Sequence, residues 1–355
     1  MIQGGFFMDI INRRFENGEK SFKIYQLVND NGVCVEVLSL GGVITKIMTP
    51  DKEGIFKNIV LELEKPEDYY INDAYRGAIA GRTAGRIGGG KVTIEGIEYN
   101  ITKNSNGSTL HGGTIGFSKK IWDSQPIKEE DYVGVKLNLK SADGEEGYPG
   151  NVEVQVIYKL NNENELTMEY SGTTDKTTLL NLTNHNYYNL SGDGESRIEE
   201  HILKINSDRI CEMGDGSIVT GRLLEVEGTP FDFRLEKALG KDIDDMTNEQ
   251  LAKGCGYDHM WMLNGDKNTD ITFRDPKSGR AMDIKTNAEC VVCYAMNFAE
   301  GEMLSCGKKA SPRMACCFET QAPPIGFNNE FAEMSILKPG EKYEAKTVFK
   351  FYVTQ

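Results

Sequence analysis

NVEVQVIYKL, residues 151–160, alternates. Val152, Val154, Val156, Tyr158 and Leu160 fall on every second position, and Asn151, Glu153 and Gln155 begin the intervening polar series. A period of two is the mark of a strand with one face buried and the other wet. The following residues, NNEN (161–164), are turn formers, and ELTMEY (165–170) resumes the alternation through Leu166, Met168 and Tyr170. The two runs predict an antiparallel hairpin.

The same pattern extends outward in both directions. GVKLNL (134–139) precedes the hairpin with Val135, Leu137 and Leu139 in phase. Strand-sized segments recur at FKIYQLV (22–28), GVCVEVLSL (32–40), KVTIEGIEYNI (91–101), DITFRD (270–275), AMDIKT (281–286) and KTVFKFYV (346–353). Helix is scarce. TNEQLAKG (247–254) has a capping-box pattern, Thr247 with Gln250, and Gly254 as a stop, which supports a turn or two. KPEDYYIND (65–73) is a second candidate. Strands and helices do not alternate regularly, which argues against a parallel doubly wound sheet. The expectation is an all-β fold: one large antiparallel β-sandwich with very little helix, a single domain over residues 1–355 with residues 1–8 as a poorly ordered start.

Composition narrows the function. The chain has 355 residues and a net charge of -14, with a pI of about 4.9. Such a surface repels phosphate backbones, so no nucleic-acid partner is expected. No apolar run reaches the roughly 18 residues of a membrane span. The start, MIQGGFFMDIINRR, lacks the basic residues and long apolar stretch of a signal peptide. The reading is a soluble, cytoplasmic protein. Eight cysteines do not make a disulfide scaffold. Cys290 and Cys293 form a lone C-x-x-C without a second pair, so reduced core cysteines are expected rather than a zinc site. GRIGGGKV (85–92) approaches a phosphate loop, but Val92 stands where Ser or Thr is needed and the next residues alternate like a strand. It reads as a turn between strands, and GCG (254–256) is an equally weak dinucleotide signal.

Four histidines and one carboxylate carry the chemistry. In NLTNHNYYNLSG (181–192), counting by two puts His185 on a polar face with Asn181 and Thr183, backed by Leu180 and Leu182. That face suits a cleft wall, and a structural and a catalytic histidine are equally compatible with it. His111 lies in NSNGSTLHGGTIGF (104–117), where flanking glycines permit close approach to a ligand. His201, in EEHILKI, reads as structural. His259 follows Asp258 in GCGYDHMWML, and on a strand one of these neighbours faces a site. In MACCFETQAPP (314–324), Glu319 shares a face with Ala315, Cys317 and Gln321, with Phe318 opposite. A desolvated carboxylate there would have a raised pKa, which suits a general base, although a buried ion pair fits as well.

Taken together, GRTAGRI, STLHGG, GEEGYPGN, NLTNHNYYNLSG, GTPFDFR, GYDHMWML, CCFETQAPP and LKPGEKY resemble the aldose 1-epimerase (galactose mutarotase) family, in that family's order, from about residue 20 to the end. The resemblance implies a large antiparallel β-sandwich with an open carbohydrate cleft. It implies Glu319 as general base on the C1 hydroxyl and His185 as general acid on the ring oxygen. It implies His111 as an orienting or charge-stabilising group, and Arg86 and Asp258 as ligands of sugar hydroxyls. Ring opening moves two protons and neither hydride nor carbanion, so no cofactor and no metal are expected. The expected partner is a monosaccharide, and the expected assembly a monomer or homodimer. Two positions depart from the family: Gly85, where asparagine is frequent, and Val292, where a sugar-contacting glutamine is common. The preferred sugar is therefore left open. Competing readings are a non-catalytic sugar-binding domain of this fold, a sugar 6-phosphate epimerase, which would want an added basic cluster, and a glycoside hydrolase using Glu319 and Asp258.

Overall fold

The computed structural model describes residues 7–265, 268–299 and 301–354. The hairpin is present as strands Val152–Asn161 and Glu165–Thr174, with Val156 opposite Tyr170 and Leu160 opposite Leu166. Val152, Val154, Val156, Tyr158 and Leu160 are all buried, and the residues between them are half-buried or exposed. Each such side chain gains roughly 1.5–3 kcal/mol from burial. A slip of one residue would expose all five, a loss of about 8–15 kcal/mol, comparable to the whole stability margin of a domain. The alternation therefore sets the register.

The hairpin sits in a nine-stranded sheet. On one side come Tyr132–Ser141 and the edge strand Asp123–Lys128. On the other, Tyr343–Val353 returns from the far end of the chain, followed by Arg280–Thr286, Ile271–Arg274, Ile202–Ile205 and Lys237–Ala238. Every pairing in this sheet is antiparallel. One five-stranded sheet runs in sequence order from Asp9–Asn17 to Phe56–Asn58. A second has the order Val219–Glu225, Arg209–Met213, Asp258–Met262, Cys290–Tyr294, Cys317–Gln321. One apolar cluster joins the inner faces of all three, with Tyr25 and Val35, Val156 and Phe349, and Trp261 and Phe318 among its members.

Four local expectations need correction. The helix is Glu249–Gly254, but Asn248, not Thr247, caps it: Asn248 Oδ1 accepts from the Gln250 and Leu251 amides at 3.0 and 3.2 Å. Asparagine outranks threonine as a cap, and the Gln250 side chain is instead bonded to the Met213 backbone. The left-handed stop is Cys255, one residue past Gly254. KPEDYYIND gives a 3₁₀ turn, Pro66–Tyr70. The segment around His185 is not a continuous strand. Thr178–Leu179 and Thr183–Asn184 pair as two-residue strands with Ile336–Leu337 and Ile79–Ala80, and Asn181 and Tyr188 form isolated bridges to Thr83 and to Val60 and Cys316.

GRIGGGKV is a turn, Gly88–Gly90, leading into strand Lys91–Ile94, as its sequence implies. Cys290, Cys293, Cys316 and Cys317 are buried and unbonded. Residues 1–6 of the expected poorly ordered start lie outside the described residues; the Met8 amide donates to Asp30. No helix among the described residues is long and apolar enough to cross a membrane.

Candidate active site

The second five-stranded sheet supplies one wall of a cleft. Its register aligns Met260 with Val292 and Val292 with Glu319, and beside this row Asp258 with Tyr294 and Tyr294 with Cys317. Alternation sends these side chains to one face, and His259, Trp261, Val291, Cys293 and Phe318 to the other. The first face lines the cleft through Asp258, Met260, Val292, Tyr294 and Glu319. Of the Asp258–His259 pair, Asp258 faces the site and His259 is fully buried behind it, its Nδ1 accepting from the Asp258 amide at 3.2 Å.

The opposite wall is made by short paired segments. His185 directly follows Thr183–Asn184 and is held through its backbone: its amide donates to Ala78 and its carbonyl accepts from Gly77, both at 2.9 Å. Arg86 belongs to a two-residue strand paired with Thr109–Leu110, and His111 follows that partner at once. All five residues expected at the site, Glu319, His185, His111, Arg86 and Asp258, line this one cavity of about 220 Å³. That is smaller than the roughly 300–1,000 Å³ of pockets for drug-sized ligands and points to a small substrate. His201 lies elsewhere, its Nε2 accepting from the Leu190 amide at 3.1 Å, a structural role.

His185 Nε2 lies 3.3 Å from Glu319 Oε1, and both side chains are almost wholly buried. Burial pushes the Glu319 carboxyl up to about 8, with the Asp258 carboxylate adding to the rise and Arg86 opposing it. Burial lowers His185 to about 4; its own backbone opposes the shift and Arg76 adds to it. The close contact would also suit an ion pair. Desolvation disfavours both charges, so the resting pair is a neutral carboxyl beside a neutral imidazole. Burial likewise raises Asp258. His111 is held well below the ordinary histidine value by burial, then by His185 and Arg86. Its Nδ1 accepts from the Gly85 amide at 3.2 Å. A neutral imidazole that accepts at Nδ1 carries its hydrogen on Nε2. Among the described residues, no neighbouring residue bonds to His185 Nδ1 to fix its tautomer in this way.

Several sequence readings change here. The asparagines around His185 do not line the cleft; they brace backbone. Asn181 makes a two-way bond to Ala322, Nδ2 donating to its carbonyl and Oδ1 accepting from its amide, each at 3.0 Å. Asn184 Nδ2 donates to the Gly77 carbonyl, and Asn189 Nδ2 to those of Ser196 and Met314. Gly112 serves protein packing rather than ligand approach, since a Cβ there would strike the Gly81 carbonyl. Within GRTAGRI the two arginines differ. Arg82 is buried on the carbonyls of Ala142, Pro149 and Gly150, which ties that motif to GEEGYPGN. Both departures from the family face the cavity. At Gly85 φ is +70°, and a Cβ would come within 2.7 Å of Pro324 Cγ.

Sequence reasoning missed Tyr75, Arg76, Tyr187, Tyr294 and Glu302, which also line the cavity. Tyr187 stacks on His185 with ring centroids 5.1 Å apart, and Tyr75 lies 4.6 Å from His111. Their position within NHNYYNL and beside the glycine-rich 81–90 stretch was the available signal. His111, His185 and Glu319 have ligand atoms within 4.8 Å of one another, a two-imidazole, one-carboxylate set that would also accept a divalent cation.

A buried carboxyl and imidazole in contact within a cleft of an antiparallel sandwich are groups suited to acid–base chemistry on a small substrate. The aldose 1-epimerase family model matches residues 23–350. Galactose mutarotase of Bos taurus is 34% identical over 95% of this chain and 96% of its own. Aldose 1-epimerase of Haemophilus influenzae is 31% identical over 93% and 96%. The crystal structure of galactose 1-epimerase from Lactobacillus acidophilus superposes with a TM-score of 0.87 at 29% identity, covering 98% of this chain and 100% of that one. The chain belongs to the aldose 1-epimerase family. It is an isomerase that interconverts the anomers of a sugar, and the match favours neither a non-catalytic binding domain nor a glycoside hydrolase.

Proposed function

We propose that the protein interconverts the α and β anomers of aldohexoses such as galactose and glucose, with Glu319 and His185 as the catalytic couple. Glu319 takes the proton from the C1 hydroxyl and His185 delivers one to the ring oxygen. The C1–O5 bond opens, C1–C2 rotates, and reclosure reverses both transfers. The observation that carries this reading is the buried 3.3 Å contact between the two groups. The two substrate oxygens share one carbon, so an acid and a base nearly in contact can reach both. His111, with hydrogen on Nε2, donates to the negative charge developing on a substrate oxygen or orients the sugar. Arg86 and Asp258, at the Glu319 side, hold ring hydroxyls. The site requires no metal or other cofactor for this step. The protein works as one domain in the cytoplasm, as a monomer or homodimer.

Polarimetry of freshly dissolved α-galactose and α-glucose tests the reading. Glu319→Gln and His185→Ala should each lower kcat about 10²–10⁴-fold while changing KM little. Near-normal kcat in either variant would remove that residue from proton transfer.

A further inference from the structure

Arg76 stands apart from the acid–base set, yet it lines the same cleft and is buried. Asn72 fixes its backbone from both sides, Oδ1 accepting from the Arg76 amide at 2.8 Å and Nδ2 donating to its carbonyl at 3.0 Å. Nη2 meets Glu302 Oε2 at 3.2 Å, and the guanidinium carbon lies 4.6 Å from the Tyr187 ring centre. Among the described residues, Nε and Nη1 have no acceptor. A guanidinium is a donor-only group, and a buried donor without a partner is destabilising. The other deeply buried arginines avoid this: Arg82 and Arg280 spend their donors on main-chain carbonyls. Arg76 keeps donor capacity for something that enters the cleft.

Its place in the cleft says which part of a sugar that is. Tyr187 touches both His185 and Arg76. That shared ring puts Arg76 on the His185 side of the cleft. In an aldopyranose the ring oxygen joins C1 to C5, and C5 carries C6. If His185 faces the ring oxygen, a group beyond it faces the C6 substituent.

Glu302 then defines that substituent. A hydroxyl accepts from a guanidinium and donates to a carboxylate at once. A carboxylate or phosphate only accepts and would be pressed against Glu302. A methyl group or hydrogen leaves Arg76 unpaired. We propose that Arg76 and Glu302 form a subsite for the C6 hydroxyl. The subsite selects aldohexoses with a free primary alcohol against 6-deoxy sugars, aldopentoses and sugars acidic at C6. This inference rests on the assignment of His185 to the ring oxygen.

Mutarotation of galactose, 6-deoxygalactose and galacturonate, followed by proton NMR, tests it in the unmodified protein, Arg76→Met and Glu302→Gln. The unmodified protein should favour galactose over 6-deoxygalactose by about 10–100-fold in kcat/KM. In Arg76→Met that ratio should fall towards one. Glu302→Gln changes a partly exposed side chain and should raise the relative rate with galacturonate. Equal kcat/KM for galactose and its 6-deoxy analogue in the unmodified protein would overturn the subsite, as would a preference for galacturonate. Saturation-transfer NMR separates this inference from the catalytic assignment. If no aldose is accelerated, the assignment fails, while tighter binding of galactose than of 6-deoxygalactose still supports the subsite and equal binding overturns it.

Discussion

At the scale of the residue, the site depends on where one proton rests. Burial leaves it on Glu319, near 8, and keeps it off His185, near 4. The reactive form carries the same number of protons, with that proton moved across to the imidazole. Its population is therefore constant between the two values. It falls below about 4, where His185 gains a second proton for the pair, and above about 8, where the pair loses its last one. The profile of kcat/KM against pH should be flat-topped with limbs near 4 and 8. A single limb near the ordinary histidine value of about 6.5 would show that His185 titrates unperturbed. The same cluster bears on metals. Exhaustive chelation should leave mutarotation unchanged, while added zinc should inhibit by occupying His111, His185 and Glu319. Loss of activity on chelation would show that the cluster works as a metal site. Glu319 was legible because a lone carboxylate in an apolar alternating strand has few uses. Arg76 was not, because its meaning depends on Glu302, 226 residues away.

At the scale of the element, the cleft wall is a product of strand alternation, and that part was legible. The parity of Asp258–Met262 and Cys317–Gln321 separates Asp258 from His259 and Glu319 from Phe318, and the sheet register then puts Asp258 and Glu319 on the same face. The segment holding His185 obeys different rules. Its backbone bonds go to a different neighbour every few residues, so no one strand partner runs along it, and its asparagines add side-chain bonds to the surrounding backbone. A period-two reading therefore placed His185 correctly and misread its neighbours. Asn181 is the clearest case, since its double bond to Ala322 ties the His185 segment to the end of the Glu319 strand. Asn181→Ala would leave the Ala322 amide unpaired, while its carbonyl keeps the bond from Gln321 Nε2, and should cost about 1–3 kcal/mol. A lower urea midpoint at unchanged slope would report it. An unchanged midpoint would show that the brace is redundant.

At the scale of the molecule, three antiparallel sheets share one core, and the architecture follows from the alternation seen first at residues 151–160. The order of strands does not. Tyr343–Val353 pairs beside Glu165–Thr174, and no local pattern specifies a partner so distant in the chain. Net charge acts at this scale too. A surface of -14 exerts no long-range force on a neutral sugar. Between about 0.01 and 1 M salt, kcat/KM for galactose should hold constant. A steep salt dependence would point to a charged substrate. The cleft also constrains the protein's history. Its two departures from the family are not equally reversible. A single substitution can return a polar side chain at Val292, which lines the cavity from a regular strand. Gly85 is locked by its left-handed backbone and by Pro324, so asparagine can return there only if the proline yields as well. Lineages drifting from this sequence would regain one contact in a single step and the other only through a coupled pair, which makes position 292 the accessible route to a new sugar preference.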